Sequence, residues 1–268
     1  SPSQYGFLKQ DYEQDIERLY KEINDFNPNI IITMGGLGLW ALTNIDKIGS
    51  YRGALTYSNV GKLNRPYKIM PTYSPFAVLK NYSFRPTVVS DLKKAAQEST
   101  TKDIENTERE IYIEPTYEEV VQFFKECREE NSEDNPLSFD IETASGEITC
   151  IGFAPSPKRS MVVPFRDITK KSQAFYDYTT EITIWKEIAN LLQDEKITKV
   201  AQNQTYDVSW LSYKYGIDVA GTVHDTMHAQ HSLQPEMEKG LGFLGSIYTN
   251  EGAWKNLTSF SKSTKAEE

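Results

Sequence analysis

The chain has 268 residues, which is enough for two domains of ordinary size. Charged residues make up 25% and hydrophobic residues 38%, as in soluble globular proteins, and no apolar run approaches the ~20 residues of a membrane span. No signal peptide is recognisable, and Cys127 and Cys150 form neither a disulfide framework nor a metal-binding pattern, which suits a reducing compartment. The net charge of −9 argues against tight binding to duplex DNA, because duplex-binding proteins usually carry a basic face.

The first part of the chain predicts an α/β domain. Apolar residues at helical spacing indicate a helix over residues 11–26, which Pro28-Asn29 ends. The pattern then predicts a buried strand at 29–34, a turn at 35–38, the start of a helix at 39–43, a strand at 67–72 and a helix at 86–97. Residues 98–110 are polar and unpatterned, which is typical of a linker. We therefore predict a boundary near residue 105, with domains over 1–105 and 106–268.

The second part begins with a strand at 111–113. Thr116-x-x-Glu119 is a capping box before a predicted helix at 117–129. Two strands, at 148–154 and 160–165, follow an apolar stretch that starts at Leu137.

That apolar stretch leads directly into two carboxylates, Asp140 and Glu142. Side chains alternate along a strand with a period of two, so both carboxylates project from one face. Carboxylates this close repel each other unless a cation lies between them, and their hard oxygen atoms suit Mg²⁺ or Mn²⁺. The alternative is an edge strand with two solvated acidic side chains, which the apolar neighbours disfavour.

A second polar segment follows at residues 200–211. Its pattern predicts a short strand, a turn at Asn203, which is a plausible cap, and a helix. Asp207 then lies in the first helical turn, where the helix dipole favours an anion, and the spacing directs it towards the first two carboxylates. Taken alone, this segment fits a capped surface helix better.

Together the two segments resemble the 3′→5′ exonucleases of the ribonuclease-H-like superfamily, whose signature is four acidic residues. The likeness is greatest to the proofreading domain of bacteriophage family A DNA polymerases, and it covers residues 111 to about 255. The first motif, Asp-x-Glu, falls on Asp140 and Glu142, and the second, Asn-x-x-x-Asp, on Asn203 and Asp207. The stretches His224-Asp225-Thr226-Met227 and Gly240-Leu241-Gly242-Phe243-Leu244 resemble the sequence that follows the second motif.

This resemblance implies a ribonuclease-H-like domain with a mixed sheet. It also implies that Asp140, Glu142 and Asp207 bind two Mg²⁺ or Mn²⁺ ions and catalyse hydrolysis of 3′-terminal nucleotides, with Asn203 and Thr143 binding the substrate. The expected partners are a single-stranded 3′ end of DNA and a polymerase domain in cis or in trans, without a membrane, in the cytoplasm of an infected bacterial host.

The third motif of the family, a Tyr-x-x-x-Asp helix that carries the fourth acidic residue, has no match after Asp225. We expect that motif shortly after Trp254-Lys255, so the chain resembles a fragment or a split gene product. The alternative function is a catalytically inactive DNA-binding or scaffold module.

The first domain has a resemblance of its own. Residues 30–42, 51–53, 68–75 and 91–95 are similar to the C-terminal half of a uracil-DNA glycosylase, and the likeness covers about residues 5–97. Ser74 stands where the second motif of that family has His, and the first motif has no match in residues 1–28. The resemblance implies a partial, inactive glycosylase-like domain that is kept for packing or DNA contact.

Two weaker patterns would favour other kinds of binding site. Gly36-x-Gly38-x-x-Ala41 follows a strand like a dinucleotide fingerprint, but the acidic residue about 20 positions further on is absent. His224, His228 and His231 have helical spacing that could bind Zn²⁺. The exonuclease interpretation instead makes Asp225 a helix cap and leaves the histidines peripheral.

Overall fold

The computed structural model describes residues 12–105, 107–167, 169–170 and 173–254. These residues form two compact units, of which the first contains 12–105 together with 236–254 and the second contains 107–235. The predicted domain division near residue 105 stays a prediction, while the structure groups the residues after Pro235 with the N-terminal part. Among the described helices, none combines the length and apolar composition that crossing a bilayer requires.

The first unit is built around a small mixed sheet. Its elements before the linker are α1 (Glu13–Phe26), β1 (Ile30–Met34), α2 (Gly36–Thr43), α3 (Ile48–Tyr51), β2 (Thr56–Tyr57), β3 (Lys68–Thr72), α4 (Pro75–Lys80) and α5 (Arg85–Glu98). The strand order is β1-β3-β2, with β1 parallel and β2 antiparallel to β3. The helices predicted at 11–26 and 86–97 and the strands predicted at 29–34 and 67–72 are confirmed as α1, α5, β1 and β3. The burial predicted for the first strand is wrong, because Thr33 is the one buried residue of β1.

A buried ion pair joins α5 to the end of α3. The guanidinium of Arg52 donates two hydrogen bonds to the carboxylate of Asp91, at 3.2 and 2.5 Å, and Thr72 Oγ1 donates to the same carboxylate at 2.7 Å. Arg52 is 4% exposed and Asp91 is 1% exposed. Removal of either partner would leave a buried charge uncompensated, so this pair fixes the arrangement of the unit.

The second unit contains most of the exonuclease-like sequence. Its elements are β4 (Glu110–Tyr112), α6 (Tyr117–Glu130), β5 (Leu137–Ala144), β6 (Glu147–Ser156), β7 (Arg159–Pro164), α7 (Tyr178–Leu192), β8 (Lys199–Ala201), α8 (Gln204–Tyr215), β9 (Val223–Asp225) and α9 (Thr226–Leu233). The sheet order is β4-β7-β6-β5-β8-β9. β5, β6 and β7 form an antiparallel meander, whereas β4 is parallel to β7 and β8 is parallel to both β5 and β9. The predicted mixed α/β sheet is therefore confirmed.

Local sequence signals account for the helices of this unit. The capping box is present, with Thr116 Oγ1 accepting from Glu119 N at 3.3 Å and Glu119 Oε2 accepting from Thr116 N at 2.7 Å. Helix α7 was not predicted from the sequence, although Asp177 caps its start and its buried residues have helical spacing. These buried residues of α7 are Ile184, Ile188, Leu191 and Leu192.

After α9 the chain continues into α10 (Leu241–Tyr248), which belongs to the first unit. Leu244 and Ser246 are its buried residues. This part of the exonuclease-like sequence is therefore packed among residues of the N-terminal part.

Candidate active site

Strand β5 presents the first two predicted carboxylates on its exposed face. Asp140 and Glu142 are exposed, while alternate residues of the strand are buried in the core: Leu137, Phe139 and Ile141. On the neighbouring strand β6, Gly152 is the register partner of Asp140 and Cys150 that of Glu142. Because Gly152 carries no side chain, the surface beside Asp140 stays open on this side.

Helix α8 brings the third predicted carboxylate to the same strand. Asp207 is only 2% exposed, and its Oδ1 accepts a hydrogen bond from the backbone N–H of Ile141 at 2.9 Å. β8 pairs with β5 only at Leu137 and Ser138, so the backbone of β5 beyond these residues is free to contact α8. The second motif thus contacts the first at the residue between Asp140 and Glu142.

The electrostatics of Asp207 fit a cation ligand. Burial raises the pKa of the Asp207 carboxyl, and the nearby carboxylates of Glu142 and Asp225 raise this pKa further. The Ile141 N–H and the N–H of Asp207 itself oppose that rise. A buried anion facing other anions gains from a cation that neutralises them.

Asn203 occupies the predicted N-cap position of α8, but the capping hydrogen bonds come from the Asp225 carboxylate and not from the Asn203 side chain. Asn203 adopts a left-handed conformation at φ 58° and its side chain makes no cap hydrogen bond. The Asp225 carboxylate accepts from the backbone N–H groups of Asn203 at 3.1 Å and Gln204 at 3.0 Å. It also accepts from Met227 N at 2.8 Å and His228 N at 3.4 Å, which confirms its predicted role as the cap of α9. Burial tends to raise the pKa of Asp225, but these four hydrogen bonds hold it below its ordinary value.

Replacement of Asp225 by alanine should therefore weaken two helix starts at once. We expect Asp225→Ala to lower the free energy of unfolding by about 2 kcal/mol, since one lost cap typically costs about 1 kcal/mol. Asp177 caps only α7, through Thr179 N and Thr180 N, so Asp177→Ala is the matched control and should cost about half as much. Urea denaturation of both variants measures the difference, and equal losses would contradict the double-cap assignment.

A tyrosine that the sequence analysis did not select completes the polar surface. Tyr206 precedes Asp207 on α8, and its hydroxyl forms a hydrogen bond of 2.6 Å with Thr143 Oγ1 at the end of β5. Tyr206 is 45% exposed, and the centre of its ring lies 6.2 Å from that of Trp210. The only sequence signal was its position beside the second-motif Asp, because the contact with Thr143 depends on the packing of α8 on β5.

The donor chemistry at this site suits a hard divalent cation, since all the candidate ligands are carboxylates. Within the described part of the chain, however, no group of three or more His, Cys, Asp or Glu side chains lies close enough together to hold a metal ion. The three-carboxylate metal site of Asp140, Glu142 and Asp207 therefore stays a prediction. The same finding gives no support to a zinc site at His224, His228 and His231, which are all exposed.

The sequence profile of the 3′–5′ exonuclease family matches residues 111–264, which is more than half of the chain. The chain belongs to the 3′–5′ exonuclease family. This family assignment covers β5, α8 and the helices that follow them, so the exonuclease motifs lie within the matched region.

This exonuclease-family chain is also similar to a curated phage protein. It is 25% identical over 239 residues to the DNA polymerase of Bacillus phage SP01, across 80% of this chain and 25% of the phage protein. The chain thus spans about a quarter of the length of that relative.

Solved exonuclease structures show a weaker likeness. Escherichia coli RNase D is 13% identical, with a TM-score of 0.39 over 55% of this chain and 34% of that chain. The EXD2 exonuclease domain soaked in Mn and GMP is 17% identical, with a TM-score of 0.35 over 51% and 68% of the two chains. Brucella melitensis NrnC with bound Mg²⁺ is 17% identical, with a TM-score of 0.34 over 53% and 62%. The family assignment rests on the sequence match and not on these structural similarities.

Proposed function

We propose that this chain is the proofreading exonuclease part of a phage DNA polymerase and removes nucleotides from a single-stranded 3′ end of DNA. Family membership and the similarity to a phage DNA polymerase support this function. The observation that carries it is the hydrogen bond from Ile141 N–H to Asp207, which joins the second acidic motif to the first. In a longer protein the polymerase domain acts with this chain in cis or in trans, in the cytoplasm of the infected host.

The residues that would hold the metal ions are Asp140, Glu142 and Asp207, together with the acidic residue expected in the third motif. Bound Mg²⁺ or Mn²⁺ ions supply an activated water and stabilise the leaving 3′ oxygen. The buried position of Asp207 and its bond to Ile141 N–H limit its freedom of movement, so this carboxylate is held in one orientation before any ion binds.

The surface beside the carboxylates would bind the terminal nucleotide. The exposed ring of Tyr206 offers a face on which an unpaired base can stack, and its hydrogen bond to Thr143 fixes the orientation of the ring. Asn203 lies at the start of the same helix with a side chain that makes no cap hydrogen bond. Substrate contacts by Thr143 and Asn203 are part of the proposal.

The direction in which a DNA strand is degraded, and the products that form, test this function. A longer chain that continues past Glu268 through the third motif should shorten a 5′-labelled single strand stepwise from its 3′ end when Mg²⁺ is present. Cleavage from the 5′ end, or a single internal cut, would contradict an exonuclease of this family.

We further propose that the first unit is a partial glycosylase-like domain without catalytic activity. The parallel pair β1 and β3 supports an α/β domain of this kind. Ser74, at the position of the family's His, caps α4 by accepting a hydrogen bond from Ala77 N at 3.2 Å. Ser74 Oγ can still donate its own proton, but a serine hydroxyl does not supply the hydrogen bond of an imidazole to a departing base in the same way.

The chain is therefore expected not to excise uracil. Incubation with uracil-containing single-stranded and duplex DNA should leave no abasic sites, measured as strand breaks after alkali. Abasic sites that form with the unmodified chain and disappear with Ser74→Ala would overturn the inactive assignment.

The alternative function is a catalytically inactive DNA-binding or scaffold module. It is supported by the described residues, among which no group of three or more His, Cys, Asp or Glu side chains could hold a metal ion. Nuclease activity distinguishes the two functions. The exonuclease has an activity that Asp140→Ala removes, whereas the inactive module has none.

A further inference from the structure

Positive charge is concentrated in one stretch of the first unit. Residues 47–90 contain seven Lys or Arg residues and no Asp or Glu, although the whole chain has a net charge of −9. Three of these cations are already paired with acidic side chains from other parts of the unit: Arg52, Lys62 and Lys68. Lys80 and Arg85 belong to the remainder and are exposed. This stretch is therefore a local exception to the acidic character of the chain.

The same stretch presents large apolar side chains to solvent. On α4, Phe76 is 64% exposed and Leu79 is 83% exposed, and Tyr82, in a short 3₁₀ helix before α5, is 71% exposed. Large apolar side chains that are grouped on a surface mark binding sites more often than chance. We call residues 75–85 the aromatic–basic surface, and all of them belong to the first unit.

Each exposed ring of the aromatic–basic surface lies beside a cation. Lys80 Nζ is 4.5 Å from the centre of the Phe76 ring, and Arg85 Cζ is 5.8 Å from the centre of the Tyr82 ring. Within the described part of the chain, the contacts of these two cations are with the rings and not with carboxylates. A ring can therefore offer its other face to a base while the cation beside it contacts a phosphate.

The backbone of the aromatic–basic surface is held in one shape. Asn81 N donates to Ala77 O at 2.9 Å, and Asn81 Oδ1 accepts from Ser83 N at 3.2 Å, which joins α4 to the 3₁₀ helix. The ring of Tyr73 stacks on that of Phe84, with 4.3 Å between the ring centres. A surface that is ordered before its ligand arrives loses less conformational entropy on binding.

We propose that the aromatic–basic surface is a binding site for single-stranded DNA. Unpaired bases stack on Phe76 and Tyr82, and the phosphates beside them contact Lys80 and Arg85. The pairing of each ring with a cation favours a nucleic acid over a protein partner, because each nucleotide brings one base and one phosphate. Duplex DNA fits less well, since its bases are stacked on each other and leave no free face for the rings. The site lies outside the exonuclease motifs, so it goes beyond the proposed function and does not rest on it.

Binding of the whole chain to a labelled circle of about 30 thymidines tests this site. A circle has no 3′ end and cannot be an exonuclease substrate, and EDTA removes divalent metal ions. Fluorescence anisotropy should show binding that weakens as the salt concentration rises. Tyr82→Ala and Phe76→Ala should each raise Kd by about fivefold or more, because each removes a surface on which a base stacks. A hairpin duplex of the same charge should bind about tenfold more weakly than the circle.

The salt dependence isolates the role of the cations. Lys80→Met and Arg85→Met should each lower the slope of log Kd against log salt concentration by about 0.7, the value for one phosphate contact on a single strand. Lys62→Met removes the same charge from the same unit, but Lys62 is paired with Glu17, so this control should keep the slope of the unmodified chain. Tyr178→Ala, at an 82% exposed tyrosine of the second unit, is the control for the rings and should keep the Kd.

Three results would each rule out this site. They are the absence of binding to the circle at low salt, an unchanged Kd in both Tyr82→Ala and Phe76→Ala, and equal affinity for the circle and the hairpin. A dimer that Tyr82→Ala dissociates, with DNA binding unchanged, would show instead that the surface joins two copies of the chain. Degradation of a linear strand that is insensitive to Asp140→Ala would refute the exonuclease function and leave the binding site standing.

Discussion

In a chain that continues through the third motif, Asp140→Ala is expected to reduce 3′→5′ degradation of single-stranded DNA by at least about a thousandfold. Metal-ion stabilisation of a phosphoryl transition state is worth several kcal/mol, and each 1.36 kcal/mol corresponds to about tenfold in rate. Asp140 is the first carboxylate of β5, exposed on the face opposite the core, so its loss should not disturb the buried residues of the strand.

Asp134 provides a matched control for this variant. It is an exposed carboxylate in the loop before β5, outside the motifs, and Asp134→Ala should retain full activity. The measurement is the initial rate of nucleotide release from a labelled single strand with excess Mg²⁺. If Asp140→Ala kept its activity, the exonuclease assignment would have to be abandoned.

The second large effect on the rate of degradation is expected from the length of the chain. The chain that stops at Glu268 should degrade single-stranded 3′ ends feebly or not at all, and extension through the third motif should raise the rate by at least about a hundredfold. In the proposed site, Asp140, Glu142 and Asp207 would hold one cation, and the second cation would require the acidic residue of the third motif. With both ions bound, two-metal chemistry would stabilise the attacking and the leaving oxygens.

The extended chain with the third-motif Asp replaced by Asn controls for an effect of length alone. That variant should be as inactive as the short chain. An extended protein that stays inactive under all metal conditions would instead favour the scaffold alternative.

The strand with the first two carboxylates was predictable because its signals are local. The apolar residues of β5 alternate with Asp140 and Glu142, and period-two alternation defines which face each side chain takes. The helix at 117–129 was also predictable, because its capping box marks where it begins. Both features depend on residues within a few positions of each other.

The cap of α8 was not predictable, because it depends on a contact between distant residues. Ala201 at the end of β8 is the register partner of Asp225 at the end of β9, and this parallel pairing brings the Asp225 carboxylate to the start of α8. Asn203 is a good capping residue by type, so local reasoning selected it. Asn203 does stand at the N-cap position, but its backbone is left-handed and its side chain makes no cap hydrogen bond.

The placement of α10 could not be predicted from neighbouring residues either. Residues 240–244 were matched only to the stretch that follows the second exonuclease motif, and nothing in residues 236–254 indicates that Lys94 and Arg52 are the partners of α10. Lys94 and Ser246 are 152 positions apart in the sequence, and contacts between such distant residues form only through tertiary packing. The contact of Tyr206 with Thr143 was not predicted, because it also joins residues that are distant in the sequence.

Binding of Mn²⁺ to the chain that ends at Glu268 tests most directly whether Asp140, Glu142 and Asp207 form one metal site. Electron paramagnetic resonance titration should show one bound Mn²⁺ in the unmodified chain and in Asp134→Ala. Affinity should fall by about tenfold or more in both Asp140→Ala and Asp207→Ala, since each removes a carboxylate ligand. Equal Mn²⁺ affinity in all four proteins would contradict the account.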